Sequence, residues 1–416
     1  MRISADEPIP LTATRMERNM ATTNDPIVIV GAARTPIGGF QGELAPLAAT
    51  DLGAAAIKAA VERAGVKPSD VDKTIFGCVL PAGLGQAPAR QASLKAGLPL
   101  ATGCTTVNKM CGSAMEAMIL AHDALVARSA DVIVAGGMES MSNAPFLMPK
   151  ARSGYRMGHQ TVYDHMFLDG LEDAYDKGRL MGTFAEECAS SYAFTREAQD
   201  EFARASLSRA LKANQDGTFG WETAPVTVSG RKGDIVVEHD EQPAKATPDK
   251  IGSLKPAFRK DGTVTAANSS SISDGAAAVA MMRRSTAEAR GIKPLAIIVG
   301  HATHAQEPGL FTTAPVGAIA KLYRNIGWKT RDVDLFEINE AFAVVTMAAM
   351  KEHDIPHERV NVHGGACALG HPIGASGARI VVTLLGALRK QGKSRGIAAL
   401  CIGGGEATAL AIERVA

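Results

Sequence analysis

Short apolar segments alternate with helix-like patterns near both ends of the chain. Residues 26–30 (Pro-Ile-Val-Ile-Val) predict a buried strand that ends at Gly31, and residues 51–65 predict a helix with Asp51 as its N-cap and Gly65 as its stop. The same rules predict strands over 74–80 and 131–135 and a helix over 112–128. Strands that alternate with helices in this way indicate an α/β fold with a largely parallel sheet covered on both faces.

Two features of the first part of the chain recur near its end. The sequence Asp-Val-Asp at 70–72 precedes one predicted strand, and the same sequence at 332–334 precedes another at 335–338. The predicted strands at 132–135 and 398–402 each lead into glycines and then a glutamate. Matched segments in the same order predict an internal duplication. The alternative is that helix-glycine-strand units merely look alike.

Residues 141–270 differ from both flanking parts, because they are richer in charge and methionine and include a polar helix predicted over 195–214. We interpret this stretch as an inserted loop domain that covers the core, since insertions of this size are often lids or binding loops. The predicted organisation is therefore a disordered N-terminal extension (1–25), an N-terminal half (26–140), the inserted loop domain (141–270) and a C-terminal half (271–416).

Composition excludes several classes of function. The 416 residues carry 44 lysines and arginines against 43 aspartates and glutamates, so the basic excess needed to bind nucleic acid or an anionic membrane is absent. Apolar runs stay below about 18 residues, so we expect no membrane span. The six cysteines form no Cys-x-x-Cys pair, which argues against disulfides or structural zinc and favours reduced thiols in the cytoplasm.

Cys111 is a candidate nucleophile. It stands in Asn-Lys-Met-Cys-Gly-Ser-Ala at 108–114, where the helix over 112–128 is predicted to begin. The positive end of a helix dipole and its free N–H groups lower the pKa of a thiol from about 8.5, and Gly112 leaves room for a substrate carbonyl. The alternative is a buried structural cysteine, which is a common state of this residue.

Three later residues are also candidates for chemistry. His371 lies among small residues before a helix predicted over 378–390 and could act as the base for a thiol, or it could be satisfied by loop carbonyls. Cys401 precedes three glycines whose amides could donate to an oxyanion, or it could pack in the core of its strand. Asn339 ends the strand at 335–338 and is interpreted first as a helix N-cap.

No cofactor or metal is expected from the remaining motifs. His301-x-x-His304 places two imidazoles near each other but offers no third ligand, so we interpret it as part of a surface loop. Gly83-x-Gly85 lacks the third glycine of a dinucleotide site.

Seven motifs occur in one order along residues 26–416. They cover residues 31–36, 108–115, 136–142, 262–268, 339–342, 364–379 and 401–406. Together they resemble the thiolase family, and its biosynthetic acetoacetyl-CoA branch in particular. The resemblance implies the thiolase fold, with two duplicated α/β halves, mixed and mostly parallel sheets stacked around buried helices, and an inserted loop domain.

The resemblance also implies an acyltransferase that condenses two acetyl-CoA to acetoacetyl-CoA and CoA. Cys111 would attack the thioester and carry the acyl group, and His371 would take the proton of Cys111. Cys401 would remove the α-proton of the second acetyl-CoA. Asn339, through a water, and His371 would form one oxyanion hole, and the backbone N–H groups of Cys111 and Gly403 would form the other.

The same resemblance implies the substrate contacts and the partners. Coenzyme A would be contacted by Leu171, Met181, Phe258, Ala266, Ser270, Ala341 and Phe342. The implied partners are acetyl-CoA, acetoacetyl-CoA and CoA, with a second and further copies of the chain in a homotetramer or homodimer. A longer-chain 3-ketoacyl-CoA thiolase and a non-catalytic acyl-CoA-binding member are the alternatives.

Two departures from the family pattern concern substrate contacts. Short-chain members have His-Met-Gly where this chain has Leu180-Met181-Gly182, which leaves the preferred acyl length open. An arginine expected near the nucleotide is absent, and Lys245 is the available substitute, as a point charge rather than a planar fork.

Overall fold

The computed structural model of the chain describes residues 25–231 and 233–415. The predicted disordered extension lies outside the described residues except for Asp25. The strands are β1 (Ile27–Arg34), β2 (Gly38–Gly39), β3 (Lys73–Gly77), β4 (Gly103–Val107), β5 (Val132–Ser140), β6 (Phe146–Leu147), β7 (Tyr163–Asp164), β8 (Val226–Val228), β9 (Ile235–Val237), β10 (Ser273–Arg283), β11 (Ala296–Ala305), β12 (Leu335–Ile338), β13 (Arg395–Ile402) and β14 (Glu406–Arg414).

Helices connect most of these strands. They are α1 (Ala49–Ala64), α2 (Pro88–Lys95), α3 (Ser113–Val126), α4 (Met181–Tyr192), α5 (Arg196–Gln215), α6 (Glu241–Lys245), α7 (Arg284–Ala289), α8 (Ala314–Ile326), α9 (Ala343–Glu352), α10 (Ala366–Leu369) and α11 (Ser376–Lys390). No helix in the described ranges is long and apolar enough to cross a membrane.

The main sheet has two parts built on one pattern. Its order is β4-β3-β5-β10-β1-β11-β14-β13-β12, with β2 beside β10. From the middle of the sheet outward, β1 pairs antiparallel with β10, β10 antiparallel with β5, and β5 parallel with β3. In the other part, β11 pairs antiparallel with β14, β14 antiparallel with β13, and β13 parallel with β12. The parts join where Val28 and Ile29 pair with Ile297 and Ala296. The α/β fold class is confirmed, and the repeated pattern agrees with an internal duplication. The sheet is mixed, but most of its neighbouring strands pair antiparallel rather than parallel as predicted.

Helices α3 and α11 form the centre of the molecule. Met115 of α3 and Leu384 of α11 are fully buried in one hydrophobic core with inward-facing residues from strands of both parts, such as Val279 and Leu400. Burying a side chain of this size contributes roughly 1.5–3 kcal/mol relative to leaving it exposed. Helices α1 and α2 cover the outer face of the first part, and α8 covers that of the second. The halves therefore share their central layer.

The first helix and strand differ in detail from prediction. Helix α1 begins at Ala49 with Ala48 as its N-cap, because the carboxylate of Asp51 accepts the Ala48 N–H (3.1 Å) from inside the first turn. Gly65 ends the helix in the left-handed region (φ 66°), as predicted. Strand β1 continues through Gly31, where a Cβ would lie 2.2 Å from the Ala60 carbonyl oxygen of the packed helix α1.

The position of strand β10 shows that the C-terminal half does not begin where it was predicted, directly after the insertion. The predicted C-terminal half begins at residue 271, yet β10 lies between β1 and β5 in the sheet of the first half. The first half is thus completed by a strand that follows the insertion, because an antiparallel strand can be supplied from any distance along the chain. Within the insertion, α5 begins where the Thr195 hydroxyl accepts the Ala198 N–H (3.2 Å).

Candidate active site

Cys111 lies in a tight turn between β4 and α3. Met110 before it has a φ of 47°, a left-handed conformation that costs a non-glycine residue about 1 kcal/mol or more. Side chains hold this turn: Asn108 Oδ1 accepts the Met110 N–H (3.0 Å), and Ser113 Oγ accepts the Lys109 N–H (2.9 Å) while donating to the Met110 carbonyl (2.6 Å). The thiol is thereby fixed at the start of the helix, as the sequence predicted.

Burial raises the pKa of the Cys111 thiol to about 11, although the N–H groups of Gly403 and of Cys111 itself act to lower it. The carboxylate of Glu139 adds a smaller rise. The prediction that the helix start lowers this pKa is therefore wrong, because loss of water around the sulfur outweighs the nearby donors. At neutral pH Cys111 is a thiol, and it needs a base before it can attack.

His371 provides a neutral base. Its Nδ1 lies 2.6 Å from the Ser376 Oγ, and the Ser376 hydroxyl donates to the Pro372 carbonyl (2.9 Å). The hydroxyl has one proton, so its oxygen accepts from Nδ1–H, and the lone pair is left on Nε2. Burial, with a smaller contribution from Arg379, lowers the pKa of His371 to about 3.

We expect His371 to impose no pH dependence on acetyl transfer to Cys111 between about pH 5 and pH 8. A base with a pKa of about 3 is fully deprotonated across this window and loses activity only as the pH falls toward that value. If the base were a histidine with the usual pKa of about 6.5, the rate of acetyl transfer would instead fall to half its maximum at about pH 6.5. Quenched-flow measurement of the first turnover with labelled acetyl-CoA checks this. Because burial raises the pKa of Glu139 to about 7, an inflection near pH 6.5 would contradict the expectation if it persists in Glu139→Gln.

Asn339 is held as a donor rather than as a helix cap. Its Oδ1 accepts from Arg379 Nη2 (3.3 Å), and its Nδ2 faces His371 Nε2 at 3.5 Å. Helix α9 begins later, with Phe342 as its N-cap, so the N-cap interpretation of Asn339 is wrong. Arg379 thus orients the amide so that its N–H groups point toward the base.

Cys401 and Gly403 lie at the end of β13 and in the turn after it. Cys401 is buried, and burial raises its pKa well above the usual value, with a further rise from Cys111. The backbone N–H of Gly403 reaches the Cys111 sulfur. Gly405 (φ 88°) needs to be glycine, since a Cβ there would lie 2.4 Å from the Gln306 carbonyl oxygen. This turn brings the second thiol and a backbone donor to the first thiol.

One cavity of about 360 Å³ connects these groups. Four predicted catalytic residues line it, namely Cys111, His371, Cys401 and Gly403. All seven residues that the resemblance assigns to coenzyme A also line it, namely Leu171, Met181, Phe258, Ala266, Ser270, Ala341 and Phe342. Asn339 is not in this lining and sits behind His371. Leu180 lines the cavity, whereas Lys245 forms an ion pair with Glu241.

Sequence reasoning missed three residues that support the site. Ser376 and Arg379 orient His371 and Asn339, and both lie in the motif at 364–379 without any local sign of these contacts. Glu139 is buried, and its carboxylate accepts the N–H groups of Val79 (2.9 Å), Leu80 (3.0 Å) and Gly374 (2.9 Å). It therefore ties the loop that carries His371 to the loop after β3.

Known proteins resemble the chain over nearly its whole length. Residues 27–285 match the family described as Thiolase, N-terminal domain, and residues 292–414 match Thiolase, C-terminal domain. The chain is 50% identical over 390 residues to a probable acetyl-CoA acetyltransferase of Dictyostelium discoideum, covering 94% of each protein. It is 50% identical over 391 residues to acetyl-CoA acetyltransferase 2 of Arabidopsis thaliana, covering 93% of this chain and 96% of that one.

A solved structure gives the same result for the fold. The crystal structure of the Bacillus anthracis acetyl-CoA acetyltransferase superposes with a TM-score of 0.91 at 40% identity, covering 94% of this chain and 99% of that chain. The predicted thiolase fold is confirmed. On these matches and on the shared architecture, the chain belongs to the thiolase family.

Proposed function

We propose that this protein is an acetyl-CoA acetyltransferase, which condenses two acetyl-CoA to acetoacetyl-CoA and CoA and also catalyses the reverse reaction. The observation that carries the proposal is the placement of two thiols, a neutral histidine and a backbone donor around one cavity. Its substrates and products are CoA thioesters and CoA, and the chemistry uses side chains and backbone amides of this chain. The names of the relatives at about 50% identity support the assignment.

In the first half-reaction, the Cys111 sulfur attacks the acetyl carbonyl carbon while His371 Nε2 takes the thiol proton. The negative oxygen that forms is stabilised by N–H groups, each contributing about 2.7–4 kcal/mol by analogy with other acyl-transfer enzymes. The bond to the CoA sulfur then breaks. Cys401 is a thiol at rest because its pKa is raised, so it can give its proton to the departing CoA sulfur.

In the second half-reaction, the Cys401 thiolate removes a proton from the methyl carbon of a second acetyl-CoA. The resulting carbanion attacks the carbonyl carbon of acetyl-Cys111 and forms the new carbon–carbon bond. The Cys111 sulfur leaves and recovers its proton from the His371 imidazolium. Both cysteines end as thiols and His371 ends neutral, so the protons balance over one cycle.

Chain length distinguishes this function from that of a longer-chain 3-ketoacyl-CoA thiolase. We expect kcat/KM for thiolysis to fall about tenfold to a hundredfold from the four-carbon to the six-carbon substrate, because overfilling a packed site costs about 1–3 kcal/mol. Thiolysis rates of 3-ketoacyl-CoA substrates from four carbons upward measure this. A rise with chain length would favour the longer-chain enzyme, and failure to form any acyl-enzyme would favour a binding protein.

Assembly and location form a separate part of the proposal. We infer a homodimer or homotetramer. The support is β4, which lies at one edge of the main sheet and, among the described residues, pairs only with β3. An unpaired edge strand is a surface on which a second copy can pair. We also infer a cytoplasmic location, supported by six cysteines that are all free thiols.

A further inference from the structure

Three side chains outside the cavity converge on one point of the surface. His122 and Asp123 lie near the end of α3. His301 lies in β11, so its interpretation as part of a surface loop is wrong. The atoms His122 Nδ1 and Asp123 Oδ1 are 3.0 Å apart, and His301 Nε2 is 3.3 Å from each of them. His122 and Asp123 are about 180 positions away from His301 along the chain, so the sequence around His301 does not indicate them as ligands. We refer to the three residues as the His-Asp-His cluster.

With both rings neutral and Asp123 ionised, no arrangement of protons makes all three of these contacts hydrogen bonds. Each facing imidazole nitrogen of a neutral ring either donates one proton or offers one lone pair, and the ionised Asp123 only accepts. If both nitrogens donate to Asp123, the contact between the two nitrogens at 3.3 Å is not a hydrogen bond. If His122 accepts from His301 instead, its lone pair faces the carboxylate oxygen at 3.0 Å. A cation between the three atoms would remove this conflict, because all three lone pairs would then bind it.

The dimensions of the triangle fit a tetrahedral metal ion. Ligand atoms about 2.0–2.1 Å from a tetrahedral centre lie about 3.3 Å from one another. The observed separations are 3.0, 3.3 and 3.3 Å. Two imidazoles and one carboxylate are ordinary zinc ligands, and three protein ligands leave a fourth position for water. Both imidazoles are partly buried, at 19% and 22% exposure, whereas Asp123 is half-exposed, which gives an ion access from solvent.

We propose that the His-Asp-His cluster is a binding site for a divalent transition-metal ion, with zinc as the preferred ion. The site joins a helix of the first half to a strand of the second half, so the bound ion would cross-link the halves. None of its residues lines the catalytic cavity. A metal that binds only the folded chain raises its stability by mass action, so the role of the site would be structural.

Cobalt substitution and zinc titration of the full-length protein test the proposal. After treatment with a chelator, Co²⁺ is expected to give the visible absorption of a four-coordinate nitrogen and oxygen site, without a sulfur charge-transfer band. Zn²⁺ is expected to raise the thermal midpoint. His301→Gln should weaken Zn²⁺ binding by more than about tenfold, since even the loss of an outer partner of a ligand costs 10–100-fold.

His304→Gln is the matched control, because His304 is on the same strand and bonds Gln306 rather than the cluster. It should bind Zn²⁺ as the unaltered protein does, and both variants should keep acetyl transfer. Asp123→Asn provides a second test should His301→Gln fold poorly. Unchanged Zn²⁺ affinity in His301→Gln or Asp123→Asn would overturn the proposal, as would cobalt bands that show sulfur ligation or an absence of binding at micromolar metal.

Discussion

Cys401→Ala is expected to become acetylated and then to stall. The variant keeps Cys111, His371 and the Gly403 donor, so labelled acetyl-CoA should approach one acetyl group per active site. A CoA thiolate can leave without the proton of Cys401, but removal of the proton from the second acetyl-CoA has lost its base. Condensation should fall by about 10²–10⁴-fold, the usual contribution of a positioned general base. Acid-quenched labelling and acetoacetyl-CoA formation measure the two steps separately.

Cys104→Ala is the matched control for this variant. Cys104 lies on β4, and its sulfur faces the Thr102 carbonyl (3.4 Å) rather than the cavity. Its loss should leave both half-reactions unchanged. A Cys401→Ala enzyme that condenses at the normal rate would show that another group removes the α-proton. One that takes up no acetyl group would show that CoA cannot leave, and the acyl-enzyme cannot form, without the proton of Cys401.

Cys111→Ala is expected to abolish the acyl-enzyme and to lower kcat in both directions by about 10⁶-fold, as removal of a catalytic nucleophile does elsewhere. Cys401, the other thiol that lines the cavity, is not expected to replace it, because Cys401 is buried and its pKa is raised well above normal. Mass spectrometry of the intact protein after mixing with acetyl-CoA reports the bound acetyl group.

In the same mass measurement, Cys401→Ala serves as the comparison for Cys111→Ala. Cys111→Ala should gain no acetyl mass, whereas Cys401→Ala should gain one. Acetylation of Cys111→Ala that maps to Cys401 would reverse the proposed roles of the two thiols. Thermal midpoints of both variants close to that of the unaltered protein would show that lost activity reflects lost chemistry.

Much of the fold follows from local patterns. Strand β12 has the predicted bounds, and α5 begins and ends within one residue of prediction, because apolar periodicity and an N-cap threonine are local signals. The pairing of strands that lie on opposite sides of the insertion does not follow from local patterns. The position of β10 between β1 and β5 depends on contacts about 140 and 250 residues apart, and its apolar sequence is compatible with either half.

The candidate site also has features that the sequence indicates and features that only the folded structure shows. The motifs at 108–115, 364–379 and 401–406 pointed to residues that line the cavity, since each of them carries a reactive group, namely Cys111, His371 or Cys401. The roles of Ser376 and Arg379 depend on which atoms face each other after folding, and spacing does not encode that. The pKa of Cys111 was predicted in the wrong direction because a helix start is visible in sequence, whereas the depth of burial is not.

The shared central layer restricts how this enzyme can admit its substrates. A clamshell motion, in which the halves swing apart about a hinge, would expose Met115, Leu384 and the residues packed on them to water. Entry must therefore proceed with the two halves closed, into the cavity that residues of the inserted segment help to line. Evolution of new acyl specificities on this scaffold is then expected to alter lining residues of that segment such as Leu180 and Phe258, and to leave the shared central layer unchanged.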